Sequence, residues 1–264
     1  MDGNFNPVEF NPWLAFGWCV LCGFLMSMGA GGGGILAGIG HISILGVADA
    51  NMIKVVNQIL EFTSRLVSVP LYYRQRRLVW RLALWFGAGA AFGAIAGSWV
   101  SKTWLSDMSA YRVVFGVLVV GVAARVLWEG WMKKGPAGAA GSAPPDFSRG
   151  LTALGGFCIS FVGSLIGVGG GFLVTPFLAV VLLFPMALAV GTGLLALMIP
   201  LTVSVLTYLA LHVNVDWGLV AVEVPGILAG SFLGPMLNRY MNEKALKTFV
   251  AVVLLAIGVY YVVF

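Results

Sequence analysis

Charge is what this sequence lacks most. Only 9% of its 264 residues are charged, whereas 60% are hydrophobic. A soluble domain carries about 25% charged residues, because its surface has to face water. Cysteine is also scarce, with 3 residues, which excludes a disulfide scaffold. The composition predicts an integral membrane protein with room for about eight to ten membrane-crossing elements of roughly 20 residues each.

The sequence also argues against several functional classes. The net charge of +5 would suggest nucleic-acid binding in a soluble protein, but here we attribute it to cytoplasmic loops. We find no Walker motif, no Gly-x-Ser-x-Gly elbow and no kinase signature, and no His, Cys and carboxylate cluster with metal-ligand spacing. We therefore expect no enzymatic activity, no cofactor, no metal and no nucleic-acid partner.

Breaks at charged residues, Gly and Pro divide the chain into ten helical elements. A tail, residues 1–12, precedes a first transmembrane repeat, 13–132, and a polar linker, 133–149, separates it from a second repeat, 150–264. The first two elements of each repeat are too short for a span of about 30 Å. The predicted elements are Trp13–Met28, Ile35–Val47, Asp49–Tyr73, Leu78–Ser101, Tyr111–Met132, Gly150–Ile166, Phe172–Phe184, Pro185–His212, Trp217–Tyr240 and Glu243–Phe264.

The two halves contain the same motifs in the same order, which predicts a duplicated fold. A glycine run follows the first short element, and a Gly-x3-Gly-x3-Gly ladder later follows a tryptophan at the same spacing. Such ladders favour close helix packing. The matching positions are Gly31, Gly32 and Gly33 with Gly169, Gly170 and Gly171, then Trp80 with Trp217, then Gly89, Gly93 and Gly97 with Gly226, Gly230 and Gly234.

The basic residues predict that the two repeats are inverted. The loop with Arg74, Arg76, Arg77 and Arg81 is expected in the cytoplasm. Its counterpart, residues 212–216, has no Lys or Arg and should lie outside. The fold class is therefore an all-α polytopic membrane protein with two inverted-topology repeats of about five helical elements each. The linker is predicted to be cytoplasmic, and both termini outside.

The glycine runs Gly29–Gly34 and Gly167–Gly171 predict broken or re-entrant helices. A half-helix that follows such a run presents free N–H groups and a positive dipole end, which suit an anion. The alternative is close packing through small residues. The candidate anion-binding glycines are Gly31, Gly32, Gly33, Gly34, Gly169, Gly170 and Gly171.

One stripe of the third element is polar. Lys54, Gln58, Glu61 and Arg65 recur on one helical face, with Asn57 beside them. Ionisable residues in a membrane are costly and face interior pathways. Glu61 is predicted to pair with Arg65 at i+4, which leaves Lys54 as the uncompensated cation. The alternative is a structural polar network. The matching stretch of the second repeat has no charge, and we assign Thr192 to the opposite wall of the path.

Four further side chains are open to two interpretations. Glu223 is either a proton carrier or the partner of a nearby polar group, so Glu61 and Glu223 are the candidates for ion coupling. His41 is either a pH-sensitive pocket group or a packed, hydrogen-bonded histidine. Cys19 and Cys22 have redox spacing but lie in an apolar segment, and we interpret them, with Cys158, as small core residues.

The order of these motifs resembles the TauE/SafE family of sulfite exporters over nearly the whole chain. The second repeat matches more closely, through Gly167-Val-Gly-Gly-Gly-Phe-Leu-Val-Thr-Pro176, Ala189-Val-Gly-Thr-Gly193 and Val215-Asp-Trp217. The resemblance implies a multi-pass carrier in a bacterial plasma (inner) membrane. It also implies a sulfur-containing anion, such as sulfite or an organosulfonate, as substrate.

The leading hypothesis is thus a secondary transporter, in the direction of export, for a small sulfur oxyanion. Lys54 and Arg65 would supply positive charge, and Asn57, Gln58 and Thr192 hydrogen bonds. The expected partners are the anion and the lipid bilayer, and a homo-oligomer is left open. Two alternatives are a passive anion channel of the same fold and a thiol-dependent permease for a thiosulfate-like compound that uses Cys19 and Cys22.

Overall fold

The computed structural model describes residues 8–28, 32–129 and 146–237, and all regular structure within these ranges is helical. Two short helices continue into a π-helical turn, Gly40–Ile44 after α2 and Phe177–Val181 after α7. The predicted element Glu243–Phe264 and most of the linker lie outside the described residues. The helices are α1 Pro12–Ser27, α2 Gly32–Ile39, α3 Ala50–Arg74, α4 Trp80–Trp104, α5 Met108–Glu129, α6 Arg149–Ile166, α7 Gly171–Pro176, α8 Met186–Ala196, α9 Met198–Ala210 and α10 Trp217–Leu237.

Four helices are long and apolar enough to cross a membrane. They are Trp80–Trp104, Arg149–Ile166, Met186–Ala210 and Trp217–Met236. The prediction that the first element of the second half is too short was therefore wrong, because α6 has 18 residues. The prediction holds for α1 and for the two short helices that end in π turns. These spans, with the family evidence given below, make the chain an integral membrane protein.

Two antiparallel helical hairpins flank the centre of the fold. In the first hairpin (residues 12–44), the Trp18 indole N–H of α1 donates to the Leu36 carbonyl of α2 at 3.0 Å. In the second hairpin (residues 149–181), the Phe177 ring packs beside Gly155. The glycine runs are at the hairpin tips, although residues 29–31 are outside the described part of the chain. The broken-helix interpretation therefore describes both runs better than continuous helix does.

The glycines at the tips have two different conformations. Gly32, Gly33 and Gly34 form the first turn of α2, so this helix begins before the predicted Ile35. In the second tip, Gly167 (φ 78°) ends α6 in the left-handed region, which glycine enters without a Cβ penalty. Gly169 and Gly170 also have positive φ, and the chain reverses there.

The two glycine ladders bring helices into backbone contact, as predicted. On α4, Gly89, Gly93 and Gly97 lie against the carbonyls of Ala153, Phe157 and Phe161 on α6. On α10, Gly226, Gly230 and Gly234 lie against backbone atoms of Phe16, Val20 and Phe24 on α1. Small residues allow this approach in a membrane protein. Each ladder thus fixes one helix of a hairpin to a helix from the other half of the chain.

We expect Gly93→Ala to lower the thermal unfolding midpoint in detergent. The new methyl group would overlap the Phe157 carbonyl, and overpacking costs about 1–3 kcal/mol, more than the roughly 1 kcal/mol gained in helix propensity. The matched control is Gly121→Ala on α5, where the Cβ would meet open space. Equal midpoints for both variants would contradict the ladder's role.

The predicted element Pro185–His212 is divided at Leu197 into α8 and α9. Pro200 explains the break, because it has no N–H to donate to the carbonyl four residues earlier. Together, α8 and α9 still form one apolar segment that is long enough for a single membrane span.

The loops gather at two opposite ends of α3 and α4. One end, called the Asp216 end, contains Val8, whose N–H donates to the Asp216 carboxylate at 2.9 Å, and Asn51, whose amide donates to Ser106 at 3.1 Å. The other end, called the Val79 end, contains the loop with the arginines. There the Arg149 guanidinium lies 5.6 Å from the Trp85 ring. The hairpin tips lie between these two ends.

Candidate functional site

The polar stripe of α3 is buried in the middle of the protein. Lys54, Asn57 and Gln58 are fully buried, and Glu61 and Arg65 are each 3% exposed. These side chains therefore do not form a water-exposed face of α3. Burial of so many hydrogen-bonding groups demands partners, and three kinds are found: an internal ion pair, the backbone of the hairpin tips and, at one end, a loop carbonyl.

Glu61 and Arg65 form the predicted ion pair. The Arg65 Nη2 donates to Glu61 Oε2 at 2.8 Å, and its Nη1 donates to the Glu61 carbonyl at 2.6 Å. Two donors from one guanidinium to one residue hold the planar group in a single orientation. The guanidinium therefore presents a fixed edge to its surroundings.

The ion pair lies between the two hairpin tips. The Glu61 carboxylate occupies the space where a Cβ of Gly34 or of Gly169 would be, so it touches both glycine turns. The Arg65 Nη2 is 3.5 Å from the Cβ position of Gly171, the first residue of α7. Helix α3 thus brings one cation and one anion to the starts of α2 and α7.

Asn57 connects the same two tips one turn away. Its amide donates to the Gly34 carbonyl at 3.0 Å and to the Gly167 carbonyl at 2.6 Å. The Gly34 carbonyl is in the first turn of α2, and the Gly167 carbonyl follows the last turn of α6. The side chain therefore satisfies one carbonyl from each hairpin and fixes the distance between them.

We expect Asn57→Asp to reduce both stability and transport. A carboxylate cannot donate, so the Gly34 and Gly167 carbonyls would face a buried negative charge and lose their partner, at a cost of about 1–3 kcal/mol or more. The thermal unfolding midpoint and anion flux into proteoliposomes measure the effect. The same change at Asn11, which caps α1, should be neutral because Asp caps as well as Asn.

A cavity of about 20 Å³ lies at this junction, with Glu61 and Arg65 in its wall. That volume is close to the minimum needed for one water molecule. Sulfite, with one sulfur and three oxygens, would enter only if the surrounding helices moved apart. The residues that line the cavity are Met26, Gly33, Gly34, Glu61, Arg65, Gly171, Val174, Thr175, Leu194 and Leu197.

Several buried polar atoms of α3 have no hydrogen-bond partner among the described residues. They are Arg65 Nε, both amide atoms of Gln58 and Asn57 Oδ1. Leaving such groups unsatisfied costs about 1–3 kcal/mol each. A polar ligand or water that reached Arg65 Nε would recover part of this cost. The guanidinium thus has one donor directed at no protein atom in the described structure.

Lys54 and Thr192 lie at opposite ends, away from the cavity. The Lys54 Nζ is 2.5 Å from the Leu105 carbonyl and 4.9 Å from the centre of the Tyr111 ring, near the Asp216 end. It has no carboxylate within ion-pair distance among the described residues. Thr192 accepts from the Val79 N–H at 3.1 Å, at the Val79 end. The structure therefore brings Asn57, Glu61 and Arg65 together at the glycine turns. Lys54 touches Gly167 through its backbone and stem, but its ammonium points away from the cavity, and Thr192 lies at the other end.

Sequence reasoning missed the apolar and hydroxyl lining of the cavity. Thr175 follows Gly171 by one helical turn, so its position on the same face of the helix was readable from spacing. Leu194, Leu197 and Met26 carry no sequence signal, because apolar residues dominate every element. Their contribution depends on how the hairpins pack against α8.

Glu223 and His41 are partners of each other. The His41 Nε2 is 3.0 Å from Glu223 Oε1, and both side chains are 1% exposed. Glu223 is thus the partner of a nearby polar group, and His41 is hydrogen-bonded through Nε2 alone among the described residues. Cys19 and Cys22 are buried, as expected, but Cys158 is exposed; its interpretation as a core residue was wrong, because it lies on the outward face of α6.

Comparison with known sequences now identifies the family. The profile of the family described as "Sulfite exporter TauE/SafE" matches residues 15–261, which is nearly the whole chain. The chain belongs to the TauE/SafE family. The matched region includes both hairpins, α3 and the ion pair, so the resemblance inferred from the motifs is confirmed.

The relatives of this TauE/SafE protein are named as transporters. It is 28% identical over 212 residues to a probable membrane transporter protein, YunE, of Bacillus subtilis, with 76% of each chain covered. It is 26% identical over 253 residues to a probable membrane transporter protein of Xylella fastidiosa, covering 92% of this chain and 91% of the relative. No solved structure gives a significant match. The protein is thus a membrane transporter of the TauE/SafE family.

Proposed function

We propose that this transporter exports a small sulfur oxyanion, sulfite or an organosulfonate. The observation that carries the proposal is the position of Arg65, whose guanidinium faces a cavity between the starts of α2 and α7. Helix starts attract anions through unpaired N–H groups and the helix dipole. A planar guanidinium can donate two parallel N–H bonds to two oxygens of one oxyanion. The family description supplies the sulfur chemistry.

In this proposal the substrate binds Arg65 beside the Glu61 carboxylate. That carboxylate lies between the two glycine turns and bonds Arg65. An oxyanion that approaches the unpartnered Arg65 Nε would share the guanidinium with Glu61. Glu61 orients Arg65 when the site is empty, and Asn57 sets the separation of the tips. Gln58 is buried on the same stripe of α3 but does not line the cavity, and Lys54 and Thr192 act only at the two ends.

The size of the cavity favours a carrier over a passive channel. A channel needs a continuous path wide enough for the ion, whereas this cavity has about the volume of one water molecule. Substrate entry then requires movement of the hairpins against α3. Rocking of one repeat against the other is the common solution in transporters with inverted repeats.

The inverted repeats, 13–132 and 150–264, are part of the proposal. Each ladder joins helices from different halves. The first hairpin starts at the Asp216 end and the second starts at the Val79 end, which is the arrangement expected for hairpins that enter the membrane from opposite sides. The arginines at the Val79 end assign that end, with the linker, to the cytoplasm of the bacterial inner membrane. The Asp216 end and both termini would be outside.

Thiol labelling tests this orientation. In a variant with Cys19, Cys22 and Cys158 changed to Ser, we expect Thr103→Cys to react with a membrane-impermeant maleimide added to intact cells. Arg76→Cys is expected to react only after the inner membrane is opened, and both positions are exposed. The reverse pattern would contradict the orientation. The same Cys-free protein tests the thiol-dependent alternative, since full transport without any thiol removes it.

Flux into proteoliposomes tests the substrate class. We expect the purified protein to carry sulfite or methanesulfonate with saturation and counterflow, and to carry chloride poorly. Saturation and counterflow distinguish a carrier from a channel, which shows neither. Uniform, non-saturating flux of all anions would favour the channel, and no flux of any sulfur oxyanion would overturn the proposal.

A further inference from the structure

A buried hydrogen-bonded pair of ionisable side chains, His41 and Glu223, connects the two halves of the protein. His41 is in the π turn that follows α2, and Glu223 is in α10, 182 residues later. The His41 Nε2 lies 3.0 and 3.2 Å from the two carboxylate oxygens. Because a carboxylate only accepts, one hydrogen lies between the imidazole and the carboxylate. Ionisable groups at such depth usually have a functional reason.

The other half of the chain shows that the fold does not need this pair. His41 is the second residue of its π turn, and Leu178 is the second residue of the matching turn. Glu223 follows Trp217 by the same spacing as Phe86 follows Trp80. Phe86 and Leu178 are both fully buried in one apolar cluster. At the matching place beside the second hairpin, the fold therefore has apolar packing of Phe86 and Leu178 instead of the His41–Glu223 pair.

Backbone geometry supports this equivalence. The His41 carbonyl accepts from the Val47 N–H at 2.9 Å, and the Leu178 carbonyl accepts from the Phe184 N–H at 2.9 Å. The two turns thus end in the same way. Replacement of a buried ion pair by apolar side chains is often neutral or stabilising, so retention of His41 and Glu223 calls for a role beyond packing.

His41 has a vacant nitrogen. Its Nδ1 is buried and has no hydrogen-bond partner among the described residues. With Nε2 occupied by Glu223, Nδ1 is the atom at which the ring can gain or lose a proton. Ser43, two residues later in the same turn, is exposed, so the ring is a short distance from the surface at the Asp216 end.

The same short helix connects His41 to the anion cavity. Gly33 and Gly34, at the start of α2, line the cavity, and His41 follows Gly34 by about 10 Å along the helix. π turns recur at functional sites in helices. A shift of this helix would therefore affect the substrate cavity at one end and the ion pair at the other.

We propose that the His41–Glu223 pair is a proton-binding site that couples substrate movement to a proton gradient. The inference rests on the proposed function. A proton from water binds the lone pair of His41 Nδ1, and the charge of the pair changes from −1 to 0 while the Nε2 hydrogen stays shared with Glu223. Release of that proton on the other side of the membrane returns the charge of the pair to −1.

Two thiols face the His41–Glu223 pair. No other charged side chain of the described helices bonds to it. Cys19 and Cys22 of α1 lie near the Glu223 carboxylate. From α3, the group bonded to α10 is the Ser64 hydroxyl, 2.7 Å from Ser231. Lys54, Glu61 and Arg65 of α3 bond elsewhere. Protonation at Nδ1 thus changes the charge of an otherwise apolar region.

Histidine NMR tests the site without any substrate. The chain has 2 histidines, so ring-¹⁵N-labelled protein with His212→Gln reports on His41 alone. We expect the Nδ1 signal to report proton binding as the pH is lowered, and this response to change in Glu223→Gln. That difference should be absent in Asp216→Asn, an acid-to-amide change at the residue that precedes the same helix. A ring that keeps one protonation state as the pH is lowered would overturn the proposal.

Proteoliposomes with an internal pH dye test the coupling. Methanesulfonate stays ionised, so proton movement during its flux comes from the protein. We expect a pH change with wild type and with Asp216→Asn, in either direction, and at least about a tenfold smaller change with Glu223→Gln or His41→Gln. Methanesulfonate or sulfite flux with no proton movement would overturn this inference alone. No flux of either anion, with the NMR titration intact, would overturn the proposed substrate class instead.

Discussion

Arg65→Gln is expected to reduce sulfite flux by at least about 100-fold. Among the described residues, the guanidinium is the one cation in the wall of the cavity, and its loss removes the charge-assisted hydrogen bonds that an oxyanion needs. Loss of one partner from a buried charged contact costs about 2–5 kcal/mol, which sets the size of the effect. Initial rates of labelled sulfite uptake into proteoliposomes measure it. Arg65→Lys should be intermediate, since an ammonium lacks the planar fork.

Two controls separate a binding defect from a folding defect. Arg81→Gln removes an exposed arginine at the start of α4 and should leave the flux unchanged. Arg65→Gln alone leaves Glu61 buried without its cation, which destabilises by about 3–5 kcal/mol. The double variant Glu61→Gln/Arg65→Gln carries no buried charge there and should remain folded but inactive. Near wild-type flux in the folded double variant would remove the ion pair from the mechanism.

Gly34→Ala is expected to abolish transport or reduce it by about 100-fold. Its methyl group would overlap the Glu61 carboxylate, so either α2 or α3 would have to shift, and displacements of about 1 Å at a reacting or binding centre cost this much. The ion pair would lose its fixed place between the tips. Sulfite flux and sulfite affinity of the purified variant measure the change.

Gly17→Ala is the matched control for Gly34→Ala. Gly17 is in α1 of the same hairpin, and a Cβ there meets no atom within 4 Å. It should keep wild-type flux and gain slightly in helix stability. If both variants transport alike, close contact between α2 and the Glu61 carboxylate is not needed for transport.

Local patterns in the sequence predicted the parts of the site that depend on one helix or one turn. The Glu61–Arg65 pair follows from i,i+4 spacing, and the hairpin tips follow from two glycine runs. The ladders predicted close helix contacts because only small residues permit them. Each of these features depends on residues that are close together in the sequence.

Contacts between distant elements were not predictable in the same way. The sequence placed Lys54 and Arg65 on one face, about 16 Å apart, but not that the Leu105 carbonyl would accept from Lys54. The 182-residue separation of His41 and Glu223 gave no local signal for their pairing. Such contacts follow from how the hairpins pack. The bounds of α6 were predicted to within one residue, but the inference that it is too short to cross a membrane was wrong.

The most direct test of the central claim is the position of a bound oxyanion. Selenite has the shape of sulfite, and its selenium can be located by anomalous scattering in crystals of the full chain. We predict one selenium site within hydrogen-bond reach of Arg65, between the starts of α2 and α7, and its loss in Arg65→Gln. Selenium bound only at an end of the protein, such as beside Lys54, with none at Arg65, would contradict the account.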